Sequence, residues 1–254
     1  MEWTDEGLIL SAQPHGENAI VATLLTAEHG RHAGLIPGGQ GRKQQATLQC
    51  GTLVDVRWRA RMLDQLGTYT LESIRSFGAG CFDDPEGLAI ITAASAVTEA
   101  SLPERQPMPG VYAGLCALFA IEDRDLWAPA YIKWEMGLLK ALGYGMDLSC
   151  CALSGATEDL AYISPRTGRA ATAKAAAPYQ EKLLPLPGFL CGSSHWNDLD
   201  IFNGLTLTGH FLARHVFANP QNRRLVPLDG MLPLARQRLA ALFEPKIVEC
   251  EAVA

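Results

Sequence analysis

The chain has 254 residues, 48% of them hydrophobic and 19% charged, which excludes global disorder and suits one large domain or two to three small ones. No window approaches the roughly 18 apolar residues of a membrane span, the acidic start Met1-Glu2-Trp3-Thr4-Asp5-Glu6 is unlike a secretory signal, and seven scattered cysteines suit a reducing cytoplasm. The net charge of −6, taken as an average, argues against a nucleic-acid binder.

The first 78 residues read as strands. Gly7 to Gln13 and Ile20 to Thr26 are apolar runs of strand length, parted by the turn-prone Pro14-His15-Gly16-Glu17-Asn18. A third strand runs Gly30 to Pro37 and ends at Gly38-Gly39-Gln40-Gly41, with a short helix over Arg42 to Gln49. Leu53 to Met62 alternates strictly, and Gly67 to Ser76 follows after a turn at Asp64-Gln65. Five strands with a helix between the third and fourth fit a small barrel of the OB type; a β-sandwich fits the same spacing. From residue 85 the period becomes helical, over Pro85 to Ser101, Pro109 to Asp123 and Trp127 to Leu142. On the last of these, Trp127, Tyr131, Trp134, Leu138 and Leu142 form a core-facing stripe. Residues 143–190 are rich in Gly, Ser, Pro and Ala, and two closing helices are expected at Leu205 to Phe217 and Met231 to Phe243, either side of Asn219-Pro220.

Charge is spread unevenly along these segments. Residues 31–78 carry seven bases (Arg31, Arg42, Lys43, Arg57, Arg59, Arg61, Arg75) against three acids, whereas residues 79–150 carry ten acids and four bases. The chain lacks a nucleophile elbow, a paired-histidine zinc helix and a phosphate loop, so no catalytic residue is assigned and a non-enzymatic role is expected. In a strand, Arg57, Arg59 and Arg61 would project on one face at roughly 6.6 Å intervals, a row suited to a nucleic-acid backbone. Arg42 and Lys43, after the glycine turn, would reach phosphates as point charges. No C-x-x-C pair occurs, and Cys50, Cys81, Cys116 and Cys250 stand singly in apolar or mixed surroundings.

Nearly end to end, the chain resembles the bacterial DNA repair protein RecO family. The residues that carry the resemblance include Trp3 to Leu10, His15-Gly16-Glu17-Asn18, Leu25 to Arg31, Gly38-Gly39 with Arg42, Trp58-Arg59-Ala60-Arg61 and Leu66 to Tyr69. Further on come Leu138 to Leu148, Tyr162 to Arg169 and Leu183 to Pro187. The resemblance implies an α+β chain: an OB-fold barrel at 1–78, a helical domain at 79–150 and 191–254, and a small zinc-ribbon-like insert at 151–190. It implies binding to single- and double-stranded DNA, strand annealing, and help to RecR in loading the RecA recombinase. RecR and the acidic, apolar C-terminal tail of single-strand DNA-binding protein are the implied partners, and the nucleoid within the cytoplasm the implied location. The insert departs from the family's zinc pattern. Cys151 falls on the first ligand position, Ser154 on the second, and Thr172 and Ala175 on the others, so no zinc or other cofactor is expected.

DNA contacts are therefore expected from Arg31, Arg42, Lys43, Arg57, Arg59 and Arg61, with a second patch from Arg166, Arg169, Lys174, Arg214, Arg223 and Arg224. Lys133 or Lys140 would meet the acidic tail beside an apolar groove. The same arginine row would equally serve an OB-fold RNA binder, and the acidic helical middle a protein adaptor.

Overall fold

The computed structural model describes residues 1–81, 83–218 and 230–245, with the side chains of Arg42 and Lys43 also outside the described set. The first part contains β1 (Glu2–His15), β2 (Ala19–Thr26), β3 (Gly30–Ile36), α1 (Arg42–Thr47), β4 (Thr52–Arg59) and β5 (Thr68–Ser76). They close into a barrel in the order β1-β2-β3-β5-β4. All neighbours are antiparallel except β3 and β5, which meet in parallel at Leu35 and Thr68. That contact excludes the sandwich, because it leaves no open sheet edge.

β1 is longer than its apolar run because it serves two partners. Its first half pairs with β4 from Glu2↔Arg59 to Leu8↔Leu53, and its second with β2 from Gly7↔Thr26 to His15↔Ala19. Period-2 alternation then sorts the side chains. Ile9, Leu24, Val54, Val56, Trp58 and Tyr69 fill the barrel. Leu8, Leu10 and Leu25 point outward into the core of the helical part, so helices cover the middle of β1 and the end of β2.

The helical part begins with α2 (Pro85–Ser101), α3 (Pro109–Phe119) and α4 (Trp127–Ala141). Asp84 caps α2 by accepting from the Gly87 amide at 2.9 Å, and Pro85 occupies the first turn, where a missing N–H costs nothing. α3 ends before the expected Asp123, because that side chain instead caps a separate 3-10 turn over Arg124–Leu126. On α4, Trp127, Tyr131, Trp134 and Leu138 are buried as the stripe requires. Next come β6 (Leu160–Ile163), β7 (Ala170–Thr172), α5 (Ala173–Ala176) and β8 (Leu184–Pro185), whose strands form a sheet in the order β7-β6-β8. Ile163, Ala170, Leu186 and Phe189 join the main helical core, which anchors this sheet to the body.

The first closing helix, α6 (Asp198–Phe211), starts seven residues earlier than the apolar pattern indicates. An Asn197–Asp200 capping box sets its start, and a π-helical turn, Leu212–Phe217, continues it. The second, α7 (Leu234–Leu242), begins only after Pro233 rather than at Met231. Asn219-Pro220 lies outside the described residues. No helix among those described is long and apolar enough to cross a membrane.

Candidate nucleic-acid interface

Strand β4 behaves as its sequence requires: Val54, Val56 and Trp58 are buried, while Asp55, Arg57 and Arg59 face out. The third arginine departs from the expected row. β4 stops at Arg59, and Arg61 lies in the turn that leads to β5. The cause is Gln65, whose Oε1 accepts from the Arg61 amide at 3.2 Å and the Met62 amide at 3.3 Å, diverting both from the ladder. The three guanidinium groups therefore bend around one end of the barrel. They do not run straight along one face.

Across the sheet, Glu2 accepts from Arg59 Nε at 2.7 Å and also from Arg57. Those two cations, Arg59 foremost, hold the Glu2 carboxyl below its usual range. Both arginine side chains remain 51% and 62% exposed, so an exposed ion pair of this kind leaves donors for a phosphate at little cost. Arg61 has no ion pair among the described residues. In the other direction the face changes sign. Glu6, Asp55 and Glu72 stand directly opposite one another on β1, β4 and β5, lining a cleft of about 520 Å³ with Glu28. A polyanion following Arg59 and Arg57 would meet carboxylates at the next position, so the favourable path leads off the hairpin end.

Arg31 is not part of this surface, contrary to the expectation from its charge. It is only 7% exposed, donating from Nε to the Leu102 carbonyl at 2.8 Å and pairing with Glu104 at 3.4 Å. It clasps the barrel to the loop after α2, because a buried guanidinium must find acceptors and these supply them. That loop carries a cation that sequence reasoning missed. Arg105, held at φ +58, donates to the Leu63 carbonyl and, at 2.8 Å, to the Gln65 carbonyl. The sole sequence signal is the run of prolines 103, 107 and 109 around it, which forces an irregular path. Arg42 and Lys43 open α1, after the glycine turn; their side chains are outside the described set.

The second set of cations divides. Arg166 is exposed at the β6–β7 turn, and Arg214 comes beside it by donating to the Pro165 carbonyl at 3.4 Å, a carbonyl His210 also approaches at 3.3 Å. Arg169 pairs with Asp147 at 3.6 Å, and Lys174 is exposed on α5. Arg223 and Arg224 lie outside the described residues.

Cys151, Ser154, Thr172 and Ala175, the four positions set against the family's zinc pattern, are linked by hydrogen bonds. The Ser154 and Thr172 amides each donate to the Cys151 sulfur at 3.4 Å, and the Ala175 amide donates to Thr172 Oγ1 at 3.3 Å. One thiol, two hydroxyls and a methyl do not make a zinc ligand set. Cys151 also packs in a small apolar cluster with Ala171 and Ala176.

On the helical part, Lys133 and Lys140 are exposed at the rim of a groove of about 820 Å³ between α3 and α4. Val111, Leu118, Trp134 and Leu138 line it, and Gly110, Gly114 and Gly137 keep it open. At Gly110 and Gly137 an added Cβ would meet nothing within 4 Å.

Residues 1–77 match the family described as Recombination protein O N terminal, and residues 83–224 that described as Recombination protein O C terminal. The chain is 49% identical to the DNA repair protein RecO of Rhodospirillum centenum over 220 residues, covering 86% of this chain and 88% of that protein. It is 46% identical to the DNA repair protein RecO of Rhodospirillum rubrum, with 94% of each chain covered. With that of Jannaschia sp. it shares 41% identity over 98% of each.

Proposed function

Since the chain belongs to the RecO family of DNA repair proteins, we propose that within DNA repair and recombination it binds single strands and anneals complementary ones, and helps RecR to load RecA onto coated DNA. The observation that carries this reading is the basic end of the barrel, where Arg57 and Arg59 leave β4 facing solvent and Arg61 follows in the turn. Annealing needs two polyanions to approach, and a cationic surface lowers their repulsion without any bond chemistry, so no catalytic group or cofactor enters the mechanism. Arg166 and Arg214 provide a second cationic point beside Pro165.

The α3–α4 groove fits the tail of single-strand DNA-binding protein by chemistry: an apolar floor for its hydrophobic end and Lys133 and Lys140 for its acids. Docking there would hold the protein on coated DNA while the barrel end engages exposed strand. The test is annealing of protein-coated complementary strands across salt concentrations. The R57A/R59A/R61A variant is expected to lose annealing and single-strand affinity at low salt; unchanged affinity in that variant would overturn the strand path.

A further inference from the structure

The β4–β5 turn, residues 60–67, exposes an unusual set of side chains. Met62 is 54% exposed, Leu63 61% and Leu66 40%, three large apolar residues within five positions. Met1 lies alongside, its backbone bonded both ways to Ala60, and together with Glu2, Arg59 and Arg61 it lines a cleft of about 400 Å³. Exposed apolar side chains usually scatter or fold back against the surface. Here they cluster on a turn whose backbone is fastened.

The tip is fastened from four directions. Arg105 donates to the Leu63 and Gln65 carbonyls from a loop about 40 residues away in sequence. The Gln65 side chain accepts from the Arg61 and Met62 amides. The Trp58 indole donates to the Leu66 carbonyl at 2.9 Å. Gly67, at φ +64, packs so tightly that a Cβ would stand 2.3 Å from Trp58 Nε1. A turn this constrained fixes where its exposed apolar side chains leave the backbone, with Arg61 in the same turn and the exposed Arg105 bonded to it.

We propose that this tip is a base-contacting wedge: Met62 and Leu63 insert against unstacked bases where a strand leaves a duplex, while Arg61 and Arg105 hold the flanking phosphates. Apolar side chains that enter a base step replace stacking on a neighbouring base with contact to a protein surface, and cations beside them keep the backbone from recoiling. The sign change on β4 agrees with this placement. A strand repelled from Glu6, Asp55 and Glu72 is turned toward the tip, not along the sheet. During annealing, a rigid wedge would keep incoming bases unstacked and presented for pairing. A protein partner for the same knob is the competing occupant, and the flanking arginines favour the nucleic acid.

The inference rests on the DNA-binding reading above, and the two fail differently. Full-length protein is mixed with a forked DNA carrying 2-aminopurine at the junction, and binding is followed by anisotropy alongside 2-aminopurine fluorescence. The wild type is expected to bind and to raise the fluorescence as the base unstacks. M62S/L63S should keep low-salt phosphate binding within about tenfold yet lose the rise. R105A, which keeps both apolar side chains but frees the turn and removes one of the proposed phosphate contacts, should lose most of it and bind more weakly. Absence of binding by the wild type would overturn the DNA reading itself. Binding without a fluorescence rise, or an equal rise in M62S/L63S, would overturn the wedge alone.

Discussion

Arg236 Nε donates to Glu135 Oε1 at 2.6 Å and its Nη2 to Oε2 at 3.0 Å, a two-pronged pair between residues 101 apart in sequence. Both side chains are fully buried. Tyr131 OH and Thr208 Oγ1 donate to the same carboxylate, and Arg236 also reaches the Leu205 carbonyl at 2.7 Å, so α4, α6 and α7 meet at one point. A charge buried this deeply is tolerable only because its partner and additional hydrogen bonds engage Nε and Nη2, while Nη1 is left without a hydrogen bond among the described residues.

Breaking that pair from one side leaves the other charge stranded. R236A or E135A is expected to cost about 3–5 kcal/mol in chemical denaturation. The double variant E135L/R236M should recover most of it. Full additivity of the two single losses in E135A/R236A would contradict the coupling.

Arg31 separates stability from binding. R31A removes a buried clasp and is expected to lower unfolding free energy by about 1–3 kcal/mol, the cost of orphaning the Leu102 carbonyl and its neighbours. Single-strand affinity of the folded protein, read by anisotropy at low salt, should be unchanged. A weakened affinity would return Arg31 to the interface.

His32 should make stability depend on pH. Its Nδ1 lies 2.8 Å from Tyr69 OH, and the Trp3 and Trp58 rings stand edge-on to it. Burial first, then the Arg105 charge, lowers its pKa from 6.5 to about 4. Between those values the unfolded chain binds the proton and the folded one does not. The stabilisation is thus complete above the unfolded pKa and is lost as pH falls toward the folded one, at no more than about 1.4 kcal/mol per pH unit. Denaturation at pH 7 and pH 5 should show the wild type losing stability on acidification more than H32N. An equal loss in both would exclude His32 as the source.

In the α3–α4 groove, space and charge can be tested apart. Gly137→Leu places a side chain in open space on a helix face, so folding should hold or improve by about 0.5–1 kcal/mol while binding of an acidic, apolar-ended peptide is lost. K133E/K140E should weaken the same peptide about tenfold, with the loss shrinking at high salt. Titration calorimetry measures both. Undiminished binding in both variants would place the peptide elsewhere.

Metal analysis checks the insert. Purified protein is expected to carry far less than one zinc per chain, because two hydroxyls and a methyl stand at three of the four ligand positions. One zinc per chain would require ligands outside the set Cys151, Ser154, Thr172 and Ala175.

Much of this protein is legible in one dimension. Alternation along β4 put Trp58 inside and Arg57 outside, the helical period from Pro85 to Ser101 marked α2, and the spacing of Trp127, Tyr131, Trp134 and Leu138 marked the buried face of α4. Each is a local property, set by the repeat of the backbone and the capping of its ends. Periodicity says which side of an element a residue occupies, but not what lies across from it. Arg31 looked like a phosphate ligand until a carbonyl 71 positions later took its guanidinium, and the arginine row ran straight until Gln65 captured two amides. Arg105 gained its place at the barrel end only because the loop after α2 returns there. Sequence alone determined the five strands, the presence of the helices and the uneven charge, while the parallel contact of β3 with β5 decided for a barrel against a sandwich. Tertiary structure decided which cations remain free for a strand, because a charged side chain is claimed by whichever acceptor the folded chain brings within reach.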